Sequence, residues 1–222
     1  MIYDLEILKL IFGNLTRQQY LSLMTTTSTL EEILQQTWCL LISGANDKKD
    51  PLHLATIATS YQQIAEIRTV VLRNTDTIKR QLYFYTDIRS EKIQQLHQQP
   101  TLSWLFYHPK KNIQIRAYGA ATIHYENDLT SEKWQILPSY SRKTYGTQQA
   151  PSTPLPYAND DLPSLWKASE IDLADTEYAY ANFAVVTCEI NRLEWLHLQR
   201  SGHRRATFEF VGEEWKGRWV VP

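Results

Sequence analysis

The chain has 222 residues, 43% of them apolar, and a formal net charge of -1. That length can bury a sizeable core in one large domain or two small ones, and the near-zero charge argues against a polyanion-binding surface, so no nucleic-acid partner is expected. The two cysteines make no disulfide framework and point to a reduced, cytoplasmic setting. No uncharged apolar run approaches the ~20 residues of a membrane span, so no membrane partner is expected.

In chain order, Leu5, Leu8, Ile11, Phe12 and Leu15 recur at helical spacing and predict a helix over 3–15, within a helical extension of residues 1–27. Asp4, Glu6 and Lys9 interrupt its apolar run, which is not the pattern of a signal or transit peptide. Ser28-Thr29-Leu30-Glu31 matches a capping box, and Leu30, Ile33, Leu34, Trp38 and Leu41 continue an amphipathic helix that stops at Gly44-Ala-Asn-Asp. Strands are predicted at 52–58, 67–73, 81–86, 102–107 and 113–125, the last long enough to bulge at Gly119. A helix over 128–137, a long loop over 146–163 and a short helix over 161–171 follow. Four closing strands are expected near 183–191, 193–199, 204–211 and 215–220.

Short strands at regular spacing with a few helices predict a mainly β fold, a barrel with peripheral helices, over residues 28–222. No G-x-G-x-x-G or Walker-type loop follows a strand, which disfavours a Rossmann or NTPase reading. His53, His97, His108, His124 and His197 show no metal-ligand spacing, so no metal is expected. Cys39 and Cys188 fall on apolar faces and read as core.

The chemistry concentrates in two segments. Arg68-Thr69-Val70-Val71-Leu72-Arg73 is an apolar strand that begins and ends in cations. Leu82-Tyr83-Phe84-Tyr85-Thr86-Asp87 is a second strand, and it runs into a helix whose start reads Arg89-Ser90-x-Lys92. A strand-borne arginine, a helix N-terminus with free N–H groups and a lysine in its first turn are the parts of a phosphate site.

These segments resemble the pyridoxamine 5'-phosphate oxidase family. Arg68-x-Val-Val-Leu-Arg73 is similar to its R-x-V-L-L-K strand, and Phe84-Tyr85-Thr86-Asp87-x-x-Ser90-x-Lys92 to its F-Y-T-N-x-x-S-R-K turn. Gln114-Ile-x-x-x-Gly119 resembles its R-Q-V-x-x-x-G strand, Trp195 and Arg205 its W-x9-R spacing, and Trp215 through Pro222 its terminal W-x-x-x-x-L-x-P. The resemblance spans roughly residues 52–222 and implies an FMN-binding split barrel.

It also implies roles. Arg68 and Lys92, helped by Arg89, Ser90, Tyr85 and Thr86, would hold the FMN phosphate. The backbone of Thr69, Val70 and Val71 would follow the ring edge, and Gln114 would bond the ring's polar side. Trp195 and Arg205 would reach the flavin from a partner subunit, which implies a homodimer with FMN at its interface. Arg205 and His203 are the candidate catalytic residues. Arg73, Trp134, Arg142 and His203 are the candidate contacts to a small substrate, with Thr144 as a possible hydroxyl donor. The implied activity is oxidation of a small amine or alcohol with oxygen as acceptor. The family's R-x-H-x-R motif reads Ser201-Gly202-His203-Arg204-Arg205, so the substrate half departs from the pyridoxamine phosphate pattern. Two other readings stay open: a non-catalytic flavin or vitamin B6-phosphate binding protein, and a barrel that holds another planar ligand such as haem.

Overall fold

The computed structural model describes residues 29–167 and 172–222. The expected helix over 3–15, and the extension of 1–27 that contains it, lie outside the described residues.

The first helix, α1 (Leu30–Asn46), is closed by a reciprocal cap one residue later than the sequence suggests. Thr29 is the N-cap: its Oγ1 accepts from the Glu32 amide at 3.2 Å, and the Glu32 carboxylate accepts from the Thr29 amide at 2.8 Å. A single 3-10 turn, Pro51–His53, precedes a β-hairpin of β1 (Leu54–Tyr61) and β2 (Ile64–Val71). The sequence places these strands at 52–58 and 67–73. Pro51 opens the turn and delays the first strand, and Arg73 falls beyond the end of the second.

Then come β3 (Asn74–Asp76), β4 (Gln81–Asp87), α2 (Glu91–Gln98), β5 (Thr101–His108) and β6 (Ile113–Tyr125). Helices α3 (Asp128–Gln135) and α4 (Ser139–Arg142) follow, where the sequence predicts one helix over 128–137; Pro138 forces the break. In place of the helix over 161–171, the described residues form one 3-10 turn, Ser164–Lys167. A further 3-10 segment, Ala174–Asn182, leads into β7 (Phe183–His197), β8 (Arg204–Val211) and β9 (Glu214–Val220).

β7 replaces two predicted strands. This 15-residue strand pairs with β6 from Ala184 to His197, while its other edge takes β4 first and β8 afterwards. One bulge absorbs the mismatch: Gly119 pairs with Ile190 and Tyr118 with Arg192, so Asn191 is the extra residue. Gly119 sits where it was expected. A Cβ there would lie 2.0 Å from the Glu189 carbonyl oxygen, so only glycine lets β6 and β7 approach this closely.

The antiparallel sheet runs β2-β1-β5-β6-β7-β4-β3, with β8 and β9 extending from the far half of β7. Its ends curl together, and the Arg73 amide donates to the Tyr83 carbonyl at 2.9 Å, tying the end of β2 to β4. This is the split barrel expected from the sequence. Alternation drives the closure: Leu102, Trp104 and Phe106 on β5 face inward with Ile57, Phe84, Ile115 and Phe208. α1 covers one end against β3 and β9, and α2 packs on β1 and β6. A second apolar cluster lies outside the barrel, where Trp134, Tyr145 and Trp166 pack on Phe183 and Val185. Cys188 is in the core, and burial pushes its thiol up to about 12. Cys39 is only half-buried. No helix among the described residues is long and apolar enough to cross a membrane.

Candidate functional site

A cluster of cations and hydroxyls forms where β1, β2, the end of β4 and the start of α2 meet. Arg68 pairs with Ile57 across the hairpin and so points to the same side as that buried residue. Its guanidinium donates to Thr59 Oγ1 at 2.6 Å and to Gln95 Oε1 at 3.3 Å. Thr59 donates to the same Gln95 oxygen at 2.5 Å. Lys92 Nζ donates to Thr86 Oγ1 at 2.9 Å and to Ser90 Oγ at 3.1 Å. Ser90 is the N-cap of α2, yet its hydroxyl donates back to the Asp87 carbonyl at 2.7 Å and makes no cap bond. The first amides of α2 are therefore left without a side-chain acceptor from their own cap.

The electrostatics agree with an anion site. Burial holds the Lys92 ammonium below its ordinary value, and the charge of Arg68 lowers it further. Burial also lowers Arg68, against the pull of Glu66 and Glu91. Glu66 stands 3.6 Å from the guanidinium, but its carboxylate is 43% exposed and screened by water. Two partly desolvated cations that repel one another, beside open helix amides, suit a dianionic phosphate. The residues present thus fit the phosphate of FMN.

Arg89 is placed differently from the sequence expectation. Its guanidinium forks onto Asp87, at 3.0 Å and 2.7 Å, and donates to the Thr147 carbonyl and hydroxyl. It fastens the turn before α2 to the loop at Thr147 and has no donor directed at the cradle. Tyr85 alternates with Thr86 and lies on the other face of β4, edge-on to Phe183 at 5.2 Å, with burial raising its phenol to about 12. Thr86 stays in the cradle. Thr69, Val70 and Val71 lie on β2, the edge of the sheet, where one side of the backbone has no strand partner among the described residues.

A second group lies on the outer face of the sheet. Gln114 on β6 pairs with Leu196 on β7, and Leu196 with Arg205 on β8, so Gln114 and Arg205 share one cross-strand row. In the next row Arg116 pairs with Glu194. Glu194 is only 7% exposed and accepts from Arg116 and from Arg205 at 2.5 Å, while Arg192 stands 3.3 Å away. Burial alone would raise its carboxyl, but the bonds from Arg205 and Arg116 overcome this and hold it below the ordinary value. Trp195 alternates with Glu194 and points inward. It is 4% exposed, packs edge-on to Trp219 and has no acceptor for its indole N–H. The structure makes Trp195 a core residue in the single chain, with no open ring face.

The substrate half is corrected more strongly. Trp134 is buried in the second apolar cluster, with its N–H on Glu177 at 3.1 Å. Arg142 is 3% exposed and donates to the Leu137 and Trp134 carbonyls at 3.0 Å and 2.8 Å, and pairs with Glu177. Both are structural, because every polar group they offer is used inside the fold. Thr144 instead lines an open depression of about 360 Å³ with Tyr140, Lys143 and Thr147. Arg73 lies over the Tyr85 ring at 5.4 Å with a buried Nε that has no hydrogen-bond partner. His203 lines an open groove with Lys110, His197 and Arg200, and its Nδ1 accepts the Gln199 amide at 3.2 Å.

Sequence reasoning missed Thr59, Gln95 and Glu194. The period-2 pattern of β1 makes Thr59 a buried hydroxyl among apolar neighbours, and Gln95 falls one turn after Lys92 on α2; both are detectable signals. Glu194 was hidden because only the strand register reveals the two cross-strand arginines around it.

Comparison with known proteins agrees with this geometry. Residues 27–125 match the family model described as pyridoxamine 5'-phosphate oxidase, FMN-binding domain. Among solved structures, a pyridoxamine 5'-phosphate oxidase-related, FMN-binding protein from Nostoc punctiforme superposes with a TM-score of 0.67 at 21% identity, covering 84% of this chain and 96% of that one. PhzG from Burkholderia lata, solved with tetrahydrophenazine-1-carboxylic acid, superposes with a TM-score of 0.61 at 16% identity, covering 95% and 98%. No curated protein matches the sequence. At these identities the superpositions establish the fold. The match over residues 27–125 likens that segment to the FMN-binding domain of pyridoxamine 5'-phosphate oxidase, and the superpositions make the whole fold that of the FMN-binding split barrels.

Proposed function

We propose that this chain is an FMN-dependent oxidoreductase that works as a homodimer on a small amine or alcohol substrate. The observation that carries the reading is the cradle of Arg68, Lys92, Thr86 and Ser90 beside the open N-terminus of α2. Arg68 and Lys92 would neutralise the phosphate through charge-assisted hydrogen bonds, and the α2 amides would complete its coordination. Gln95 and Thr59 hold Arg68 in its rotamer beforehand, which lowers the ordering cost of binding. Bound FMN supplies two-electron redox chemistry, while the protein supplies orientation and the surrounding field.

The placement of the two groups supports the dimer. Arg68 faces the barrel interior at the β2 edge, whereas Gln114 and Arg205 lie on the outer face, with β1 and β5 between β2 and β6. Three strand spacings of ~4.8 Å separate β2 from β6, in addition to the change of face. A ligand that uses both groups is best served by two chains. The outer face near the edge is also apolar: Ile67 is 66% exposed, Leu54 60% and Tyr107 45%, which suits burial against a second copy. On the substrate side, Arg73 is the cation whose Nε still lacks an acceptor.

One observation favours the non-catalytic flavin-binding alternative: Trp134 and Arg142, two of the residues expected to meet substrate, are consumed inside the fold. Quenching of FMN fluorescence by the purified protein, followed by aerobic turnover assays with small amines and alcohols, separates the readings. Binding with turnover supports the oxidoreductase. Binding with no turnover across the panel supports the alternative, and no binding sinks both.

A further inference from the structure

The outer-face cluster holds more charge than it needs to pin the strands together. One carboxylate, Glu194, is ringed by Arg116, Arg192 and Arg205, which leaves two positive charges in excess. Arg205 and Arg116 meet the same Glu194 oxygen, so one acid orients cations from β8 and β6 together. The cluster adjoins Gln114, two residues before Arg116 on the same face of β6. Arg192 is turned onto the Tyr118 ring, 3.8 Å from its centroid, so Arg116 and Arg205 make the close contacts to Glu194.

We propose that Glu194 is a positioning residue for the flavin: it holds Arg205 and Arg116 in place and limits how much of their positive charge reaches the ring's polar end. The inference rests on the FMN reading above. Reduction adds negative charge to that end of the ring, so nearby arginines favour the reduced form and a carboxylate among them opposes it. A purely structural ion pair would fix the strands without moving the flavin's potential.

The test is the midpoint potential of the bound flavin in the native protein, Glu194→Gln and Glu209→Gln. Glutamine keeps an oxygen to accept from the arginines and removes only the charge. The expected result is an upward shift in Glu194→Gln. No shift is expected in Glu209→Gln, whose carboxylate pairs with exposed Arg218 at 3.0 Å farther along β8. Equal potentials in the native protein and Glu194→Gln, with flavin bound in both, overturn the inference and leave the FMN reading standing. An equal rise in Glu209→Gln also overturns it, because any lost surface charge would then suffice. If Glu194→Gln does not fold, Arg116→Gln decides: it removes a cation and leaves Glu194 on Arg205, so the potential should fall, and an unchanged value overturns the proposal. A native protein that takes up no flavin overturns the FMN reading itself, and this inference with it.

Discussion

Burial, and then the Arg68 guanidinium, depress the proton affinity of the Lys92 ammonium, although the two residues stand on different elements, an edge strand and the first turn of a helix. Folding thus brings two like charges together and partly desolvates both. A phosphate dianion is the natural counter-charge.

This relationship sets a pH dependence. Free Lys92 titrates below its ordinary 10.5, chiefly through burial and then through Arg68. A dianion favours the charged amine, so it raises that value on binding. FMN affinity should therefore fall as the pH rises, beginning below pH 10.5, as the free protein's Lys92 loses its proton. Fluorescence titrations from pH 7 upward check this. In Lys92→Met the same decline should be absent, on top of a loss of roughly 10–100-fold at neutral pH, the range expected for one hydrogen bond to a charged group.

Gln95 should matter although it is uncharged and buried. Its Oε1 accepts from both Arg68 and Thr59. Gln95→Leu removes that acceptor and frees Arg68 to take other rotamers. FMN affinity should fall about 10-fold, equivalent to ~1.4 kcal/mol, and the thermal midpoint should drop by a few degrees because the buried Thr59 hydroxyl loses its acceptor. Isothermal titration alongside thermal unfolding measures both. Unaltered affinity would show that Arg68 needs no such support.

The proposed homodimer predicts linked losses. Leu105 and Tyr107 lie on the outer face of β5, beside the exposed Leu54 and Ile67. Leu105→Glu places a charge on that face. Light scattering should then report a monomer, and flavin retention should fall together with the dimer because each site would lack its partner's residues. A monomer that holds FMN as tightly as the native protein would place the whole site within one chain.

Arg142 gives the opposite expectation from a substrate contact. Arg142→Met removes donors to two carbonyls and leaves them short of partners. At about 1–3 kcal/mol for such an unsatisfied buried group, the thermal midpoint should drop by several degrees. FMN affinity below the transition should be unchanged.

The cradle was legible in the sequence because strand, turn and helix start are contiguous. Arg68, Thr86, Ser90 and Lys92 lie within 25 positions, and local chemistry brings them together. The bulge at Gly119 was legible for a similar reason, since a glycine within a long strand has few other uses. Arg89 and Tyr85 misled because alternation and a nearby acid, Asp87, decide where a side chain points, and neither is visible from motif spacing. Trp134 and Arg142 misled more fully. Their partner Glu177 lies more than 30 residues onward, in a segment the sequence reading left without structure. The single continuous β7 was hidden because its polar Asn191-Arg192 looks like a turn until the bulge is seen to absorb it.

The most direct measurement of the central claim is the visible absorbance of the protein after FMN is added and unbound ligand is removed by desalting. The account predicts a retained flavin spectrum near one FMN per chain for the native protein and strongly reduced retention for Arg68→Ala and Lys92→Ala, with all three folded. A colourless native protein, or equal retention in all three, would contradict it.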